Sequence, residues 1–200
     1  KDKTINRNKN NKNMIRKIIN NLHNSSPREK RHSENVSVLC EKIAEEMGLS
    51  KALIKRLGEN GYFHDIGKIV LEDDILNKHR DLTEEEYRKM QQHSVVGYRI
   101  LNLFDDTIDL AEGVLSHHEH WDGTGYPKGI KGEEIPLSSR IIAVAEAYDA
   151  MPNDNYDRRK TNDAAVEEII RISGVRFDKD AVEAFIKISK KQDQETKTDQ

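Results

Sequence analysis

Apolar residues recur at helical spacing through most of this chain, and no segment alternates apolar with polar as a half-buried strand would. Val36, Leu39, Cys40, Ile43, Ala44 and Met47 keep an i, i+3, i+4, i+7 rhythm until Gly48 stops it, with His32 at the N-terminal edge. That periodicity confines the chain to an all-α fold. Met14, Ile15, Ile18, Ile19 and Leu22 form an earlier amphipathic helix that ends before Ser25, Ser26 and Pro27. Ser50 can cap a helix in which Leu53, Ile54, Leu57 and Gly61 face inward as far as His64. Thr83 and Glu86 stand at capping-box spacing, which predicts a helix through Met90 with His93 at its end or just beyond. Ile108, Ala111, Val114, Leu115 and His118 carry the rhythm further. Ser138 is expected to cap a helix that buries Ile141, Ile142, Ala145 and Tyr148, with Glu146 and Asp149 on another face and Pro152 ending or bending it. Stretches 164–172 and 181–188 complete the helices, and there is no internal repeat.

The 200 residues, 35% of them hydrophobic, suit one domain around one core, expected over 14–188. Residues 1–13 are dominated by Asn and Lys, with Ile5 the one apolar side chain, and read as a disordered linker. Residues 189–200 read as a C-terminal tail of the same character, and a start at Lys1 without Met is expected of a domain cut from a longer protein. Charged residues make up 34% of the chain but the net charge is only -3, so the signs are mixed. That balance argues against DNA binding or a membrane-surface patch. Cys40 is the one cysteine and excludes an internal disulfide. Its apolar helical surroundings predict a buried structural thiol in a reducing cytoplasm. No apolar run approaches the ~18 residues of a spanning helix, so no membrane insertion is expected of this segment.

The chemistry concentrates in His117-His118-Glu119-His120-Trp121-Asp122-Gly123-Thr124-Gly125-Tyr126-Pro127, where three of the eight histidines fall within four positions. The glycine-punctuated loop that follows is about fifteen residues long, which suits function better than mere connection. Neutral imidazole is a common metal ligand, and the chain adds His64-Asp65, His32 and His93. With no thiolate to spare, imidazole and carboxylate donors suit Fe, Mn or Zn and exclude a structural zinc knuckle. The candidates are His32, His64, Asp65, His93, His117, His118 and one of Glu146 or Asp149, spread over several helices as a site inside a bundle requires. One ion takes roughly four to six donors, so a set of this size with a carboxylate able to bridge points to two ions. Two ions roughly 3.5–4 Å apart can hold a bridging hydroxide and clamp a phosphodiester for in-line hydrolysis. Lys68, just past the Gly67 turn, can bring a non-ligating cation to the same pocket. Adjacent histidines on a helix point about 100° apart, so His117 and His118 meet one ion only if the helix ends there. Taken singly, His64-Asp65 reads as a helix C-cap pair, and Lys68 and His93 as solvated side chains. His23, His79 and His120 are expected at the surface.

Taken in order, His32-Ser33, His64-Asp65-Ile66-Gly67-Lys68, His93, His117-His118-Glu119, the Asp122 to Pro127 loop, Ile135-Pro136 and Arg140-Ile141-Ile142-Ala143-Val144-Ala145-Glu146-Ala147-Tyr148-Asp149-Ala150 closely resemble the HD-GYP domain. The match runs over about 25–188. The resemblance implies a helical bundle of the HD phosphohydrolase superfamily, with a five-helix core and additional C-terminal helices. It implies hydrolysis of cyclic di-GMP to pGpG, or on to GMP, with two divalent metal ions, Fe or Mn. One ion would lie among His32, His64, Asp65 and Glu146, and a second among Asp65, His93, His117 and His118, with Asp65 bridging. The same resemblance gives Asp65 and Lys68 catalytic roles, Lys68 as a phosphate contact and proton donor. Substrate contacts would come from Lys68, Gly125, Tyr126, Pro127, Asp149 and Arg158. Such domains usually terminate longer signalling proteins, which implies an upstream sensor module and a cytoplasmic site, and leaves a protein partner or a homodimer open.

Three positions depart from the family pattern. Glu146 stands where Asp is frequent, one methylene longer. Asn155-Tyr156-Asp157-Arg158 replaces a frequent Arg-Pro-Tyr-Arg, which removes a bidentate phosphate donor at Asn155 unless Arg158 or Arg159 substitutes. Asn35 stands where Arg is frequent. The loss at Asn155 motivates a rival reading, a catalytically silent module that binds a cyclic dinucleotide or a protein. A third keeps the enzyme and changes the substrate to another cyclic dinucleotide or nucleotide phosphate.

Overall fold

Helix boundaries follow the local chemistry of the chain. The computed structural model describes residues 2–78, 81–153 and 162–198. It contains α1 (Asp2–Ser25), α2 (Pro27–Glu46), α3 (Lys51–Phe63), α4 (Asp73–Leu76), α5 (Glu84–Leu101), α6 (Ala111–Leu115), α7 (Leu137–Asn153), α8 (Asn162–Arg171) and α9 (Lys179–Thr198). Short 3-10 turns stand at Ile66–Val70, Ile108–Leu110 and Gly132–Glu134, and among the described residues there is no strand, only an isolated bridge from Ser173 to Phe177. The Ser26 side chain accepts from the Glu29 amide to cap α2, with Pro27 in its first turn. Ser50 caps α3 through the Leu53 amide, and Thr83 and Glu86 complete the capping box of α5.

Several boundaries differ from the sequence reading. The stretch expected to be linker is helical from Asp2, because 1–13 holds no Gly or Pro to stop a helix whose apolar face begins at Ile15. The expected tail is likewise helical to Thr198. Instead of stopping near Met90, α5 continues to Leu101, so His93 lies well inside it. Ser138 is not a cap, since α7 already begins at Leu137, and Pro152 falls in its last turn. Leu53 and Ile108, expected inward, are exposed.

Two apolar clusters carry the bundle. The larger joins Val36, Cys40 and Ile43 of α2 to Leu57 of α3, Ile141, Ile142 and Ala145 of α7, Ile169 of α8 and Phe185 of α9. The smaller joins Ile15, Ile19 and Leu22 of α1 to Ile66, Leu76, Leu101 and Val114. Cys40 is fully buried and its thiol is pushed up by burial, as a structural thiol should be. No helix among the described residues is long and apolar enough to cross a membrane.

The turn carrying His64 and Asp65 is pressed onto α5. A Cβ placed on Gly67 would lie 1.8 Å from the His93 carbonyl oxygen and 2.5 Å from the Gly97 amide nitrogen. Only glycine allows this approach, and the approach brings Asp65 up to His93.

Candidate metal centre

Three histidines are oriented by the main chain. The Nδ1 atoms of His64, His93 and His117 lie 2.7, 2.5 and 2.6 Å from the carbonyl oxygens of Gly61, Met90 and Val114. Each carbonyl stands three residues earlier and can only accept, so Nδ1 carries the proton it donates. Each ring therefore presents Nε2, the other ring nitrogen, to the interior. His32 is held differently: its Nδ1 lies 2.6 Å from Asp149 Oδ2, and Asn35 donates to Asp149 Oδ1 at 2.8 Å. Asp149, expected as a substrate contact or a ligand, holds His32 by this contact and also lines the cavity on the His32 side. Asp149→Asn is expected to weaken metal binding about 10–100-fold while leaving the fold intact, measured by metal titration of the folded variant. An unchanged affinity would show that the contact does not orient His32.

Two trios of donor atoms converge. The ligand-capable atoms of His93, His117 and His118 lie within 4.8 Å of one another, and so do those of His32, His64 and Glu146. Asp65 stands between the trios. Its Oδ2 lies 3.1 Å from His64 Nε2 and 3.7 Å from His32 Nε2, while Oδ1 lies 3.2 Å from His93 Nε2. Glu146 also looks both ways, with Oε1 3.9 Å from His118 Nε2. His64 Nε2 and Asp65 Oδ1 are buried without a hydrogen-bond partner, and Asp65 Oδ2 has the Lys68 ammonium beside it as an ion pair; bare buried atoms of this kind are rarely tolerated in native interiors unless something else binds there. The donor set of imidazole and carboxylate, with His64 Nε2 and Asp65 Oδ1 left bare, fits divalent ions.

At His93, His117 and His118 the electrostatics agree with a cation-binding centre. Burial drives the His93 imidazole down to about 4 and His117 down to about 3, and burial with its histidine neighbours drives His118 well down. Neutral imidazole is the ligating form. Burial also opposes charge on His64, but the adjacent Asp65 carboxylate outweighs it and raises His64 to about 9. Burial works against ionisation of Asp65, yet His64 and Lys68 hold its carboxyl well below the usual range. Lys68 Nζ sits 2.7 Å from Asp65 Oδ2 and 3.0 Å from Glu29 Oε2; the two carboxylates overcome the desolvation cost and raise its pKa.

Glu119 and Gly125 build the wall of the site. Glu119 Oε1 accepts from the Lys128 and Gly129 amides at 2.6 and 3.1 Å. The Tyr126 amide donates to the His118 carbonyl at 3.2 Å, and a Cβ on Gly125 would come within 2.4 Å of that same oxygen. The loop thus lies flat on 118–120, and the Tyr126 ring stacks on His118 at 4.8 Å between centroids. From its far side the Trp121 and Asp122 amides donate to the Arg176 and Val175 carbonyls in the turn before α9. A cleft of about 540 Å³ opens over this wall, lined by Lys68, Tyr87, Met90, Tyr126, Glu146 and Arg176 among others. A smaller cavity of about 120 Å³ opens on the His32 side, lined by Arg28, Arg31, Lys68, Glu146 and Asp149 with their neighbours.

The structure brings together His32, His64, Asp65, His93, His117, His118, Glu146 and Lys68. Gly125 and Tyr126 line the large cleft, whereas Pro127 is exposed and does not line it. Arg158, with Asn155 and Arg159, lies outside the described residues, as does His79. His23, expected at the surface, is 5% exposed and edge-on to Tyr62 with its Nε2 3.3 Å from Ser33 Oγ, because α1 packs on α2 there. His120 reaches the cleft and pairs with Thr124 at 2.9 Å. The sequence reading gave no role to Glu29, Arg28, Arg31 or Arg176, which line the two cavities, or to Glu119, which holds the loop. The Ser26 to Glu29 spacing reads as a cap, but the Glu29 carboxylate pairs with Lys68. Glu119 was visible as a motif member without a role.

Residues 16–181 match the family described as HD domain. Among curated proteins, a cyclic di-GMP phosphodiesterase of Thermotoga maritima is 44% identical over 163 residues, covering 80% of this chain and 44% of the relative. A 3'3'-cGAMP-specific phosphodiesterase of Vibrio cholerae is 35% identical over 161 residues, covering 79% of this chain and 37% of the relative. The chain therefore spans less than half the length of these relatives. Among solved structures, an HD-GYP-type protein of Bdellovibrio bacteriovorus superposes with a TM-score of 0.66 at 18% identity, over 81% of this chain and 52% of that one. That likeness bears on the fold.

Proposed function

The chain belongs to the HD domain family, and from that membership we propose that it is a metal-dependent phosphodiesterase that opens a cyclic dinucleotide, with cyclic di-GMP as substrate. The observation that carries this reading is Asp65, whose two buried oxygens face separate trios of ligand atoms, Oδ2 toward His64 and His32 and Oδ1 toward His93. His32, His64 and Glu146 with Asp65 Oδ2 would hold one ion, and His93, His117 and His118 with Asp65 Oδ1 a second, Fe or Mn. Ions held there supply Lewis-acid charge to a phosphodiester and acidify water at neutral pH.

The chain's own residues do the rest. Lys68 brings a positive charge beside Asp65 to a phosphate oxygen, a task that suits a raised pKa. Asp149 and the three carbonyls fix the imidazoles before substrate arrives, so no reorganisation is needed at the moment of reaction. Tyr126 offers a flat aromatic wall for a base or ribose. In the reaction, water oxygen bonds to phosphorus, the P–O3′ bond breaks and O3′ takes up a proton. The product is linear pGpG with a 5′-phosphate; repetition on the second diester gives GMP.

The test is turnover of cyclic di-GMP by protein supplied with Fe or Mn under reducing, anaerobic conditions, with 3'3'-cGAMP compared alongside. Release of pGpG is expected, and faster turnover of cyclic di-GMP than of the hybrid dinucleotide. No product from protein whose metal content is confirmed would overturn the enzyme reading and favour a silent binding module. Preference for the hybrid dinucleotide would overturn the substrate assignment alone, an outcome that the similarity to the Vibrio cholerae relative motivates.

A further inference from the structure

Lys68 is already matched by two carboxylates, Asp65 at 2.7 Å and Glu29 at 3.0 Å. A cyclic dinucleotide brings two phosphodiesters on opposite sides of one ring, and the centre built on Asp65 handles one at a time. The other needs cations of its own, a ring's width away. Arg28 and Arg31 line the cavity on the His32 side together with Lys68 and Glu146. They stand three residues apart in the first turns of α2, so their side chains lie on neighbouring parts of one helix face. Both are exposed, and among the described residues neither has an ion-pair partner. The opposite cleft shares Lys68 and adds one guanidinium, Arg176, but it also presents Tyr87, Met90 and Tyr126, flat and apolar surfaces that suit a base.

Resting on the phosphodiesterase reading above, we infer that Arg28 and Arg31 hold the phosphodiester that is not being cleaved, and so select substrates with a second phosphate. Planar guanidinium forks bind phosphate oxygens in pairs, and two at this spacing can take one diester between them.

The experiment compares Arg28→Ala/Arg31→Ala with wild type in the metal-loaded full chain, on cyclic di-GMP and on bis(4-nitrophenyl) phosphate, a diester with no second phosphate. The dissociation constant for cyclic di-GMP is measured by calorimetry in parallel. The expected result is a KM and Kd for cyclic di-GMP raised about tenfold or more, with kcat changed much less. The ratio of kcat/KM for cyclic di-GMP to that for the simple diester should fall by a similar factor, and Arg28→Lys/Arg31→Lys should recover part of it. An unchanged ratio, whether both substrates slow equally or neither does, overturns the inference. Should wild type bind cyclic di-GMP without cleaving it, the enzyme reading fails alone, and Kd decides the pair: a weakened variant supports it and an unaltered one overturns it. Wild type that binds no cyclic di-GMP overturns both.

Discussion

Asp65→Ala is expected to lower hydrolysis of cyclic di-GMP roughly 10³-fold or more, about 4 kcal/mol of transition-state stabilisation, while the helical circular dichroism stays that of wild type. The size of the effect follows from where the carboxylate stands. It stands closest between the two trios, 3.1 Å from His64 on one side and 3.2 Å from His93 on the other, and it also anchors Lys68 at 2.7 Å. In the proposed centre its removal would take a donor from each ion and release Lys68, the cation proposed to meet the phosphate. The fold should survive because Asp65 belongs to neither apolar cluster, and Gly67 and Ile66 hold the turn independently. Metal analysis on the same sample should show reduced occupancy. Turnover equal to wild type would remove Asp65 from the mechanism.

Gly67→Ala is expected to be the most damaging small substitution outside the ligands. Its Cβ would fall 1.8 Å from the His93 carbonyl oxygen, a backbone atom in the middle of α5 with no rotamer to move away. Either the turn lifts from the helix or the helix bends, at a cost of about 3 kcal/mol, near the upper end for overpacking. For a domain of this size that corresponds to a melting temperature lower by about 6–12 °C. The shift would also draw Asp65 away from His93, so metal affinity should fall together with stability. A variant that melts like wild type would show that the turn does not need this contact. Gly132, where a Cβ meets nothing within 4 Å but φ is +59°, should give a milder loss from backbone strain alone.

The parts of this molecule that were legible in its sequence are those where one local rule decides. Ser50 and the Thr83–Glu86 pair cap the helices they were expected to cap, and the rhythm through Val36, Cys40 and Ile43 marks the buried face of α2. The histidines and Asp65 were legible as a set because few other roles need so many imidazoles. Their arrangement was not. His93 lay beyond the readable rhythm because 84–92 is largely polar, and what buries it is the Gly67 turn, distant in sequence. Asp149 could be placed on a face with Glu146, but its pairing with His32 across α2 and α7 spans 117 positions. Glu29, Arg28 and Arg31 carry no local signal that sets them apart from other charges in a first helical turn. Their meaning comes from the cavity beside them, which no spacing encodes. Helix before Met14 was missed because periodicity detects only helices that bury a face.

The loop bearing Tyr126 is fastened at its back by two main-chain bonds, from the Trp121 and Asp122 amides to the carbonyls of Arg176 and Val175, and Asp178 of the same turn grips Arg140 of α7 at 2.7 Å. Side-chain replacement in the loop leaves the two main-chain fastenings whole, so its surface chemistry can be altered without loosening its hinge. The stretch that carries Tyr126 and the root of the last helix are thereby pinned to each other, so the seat of the ring that covers His118 is set in part from α9.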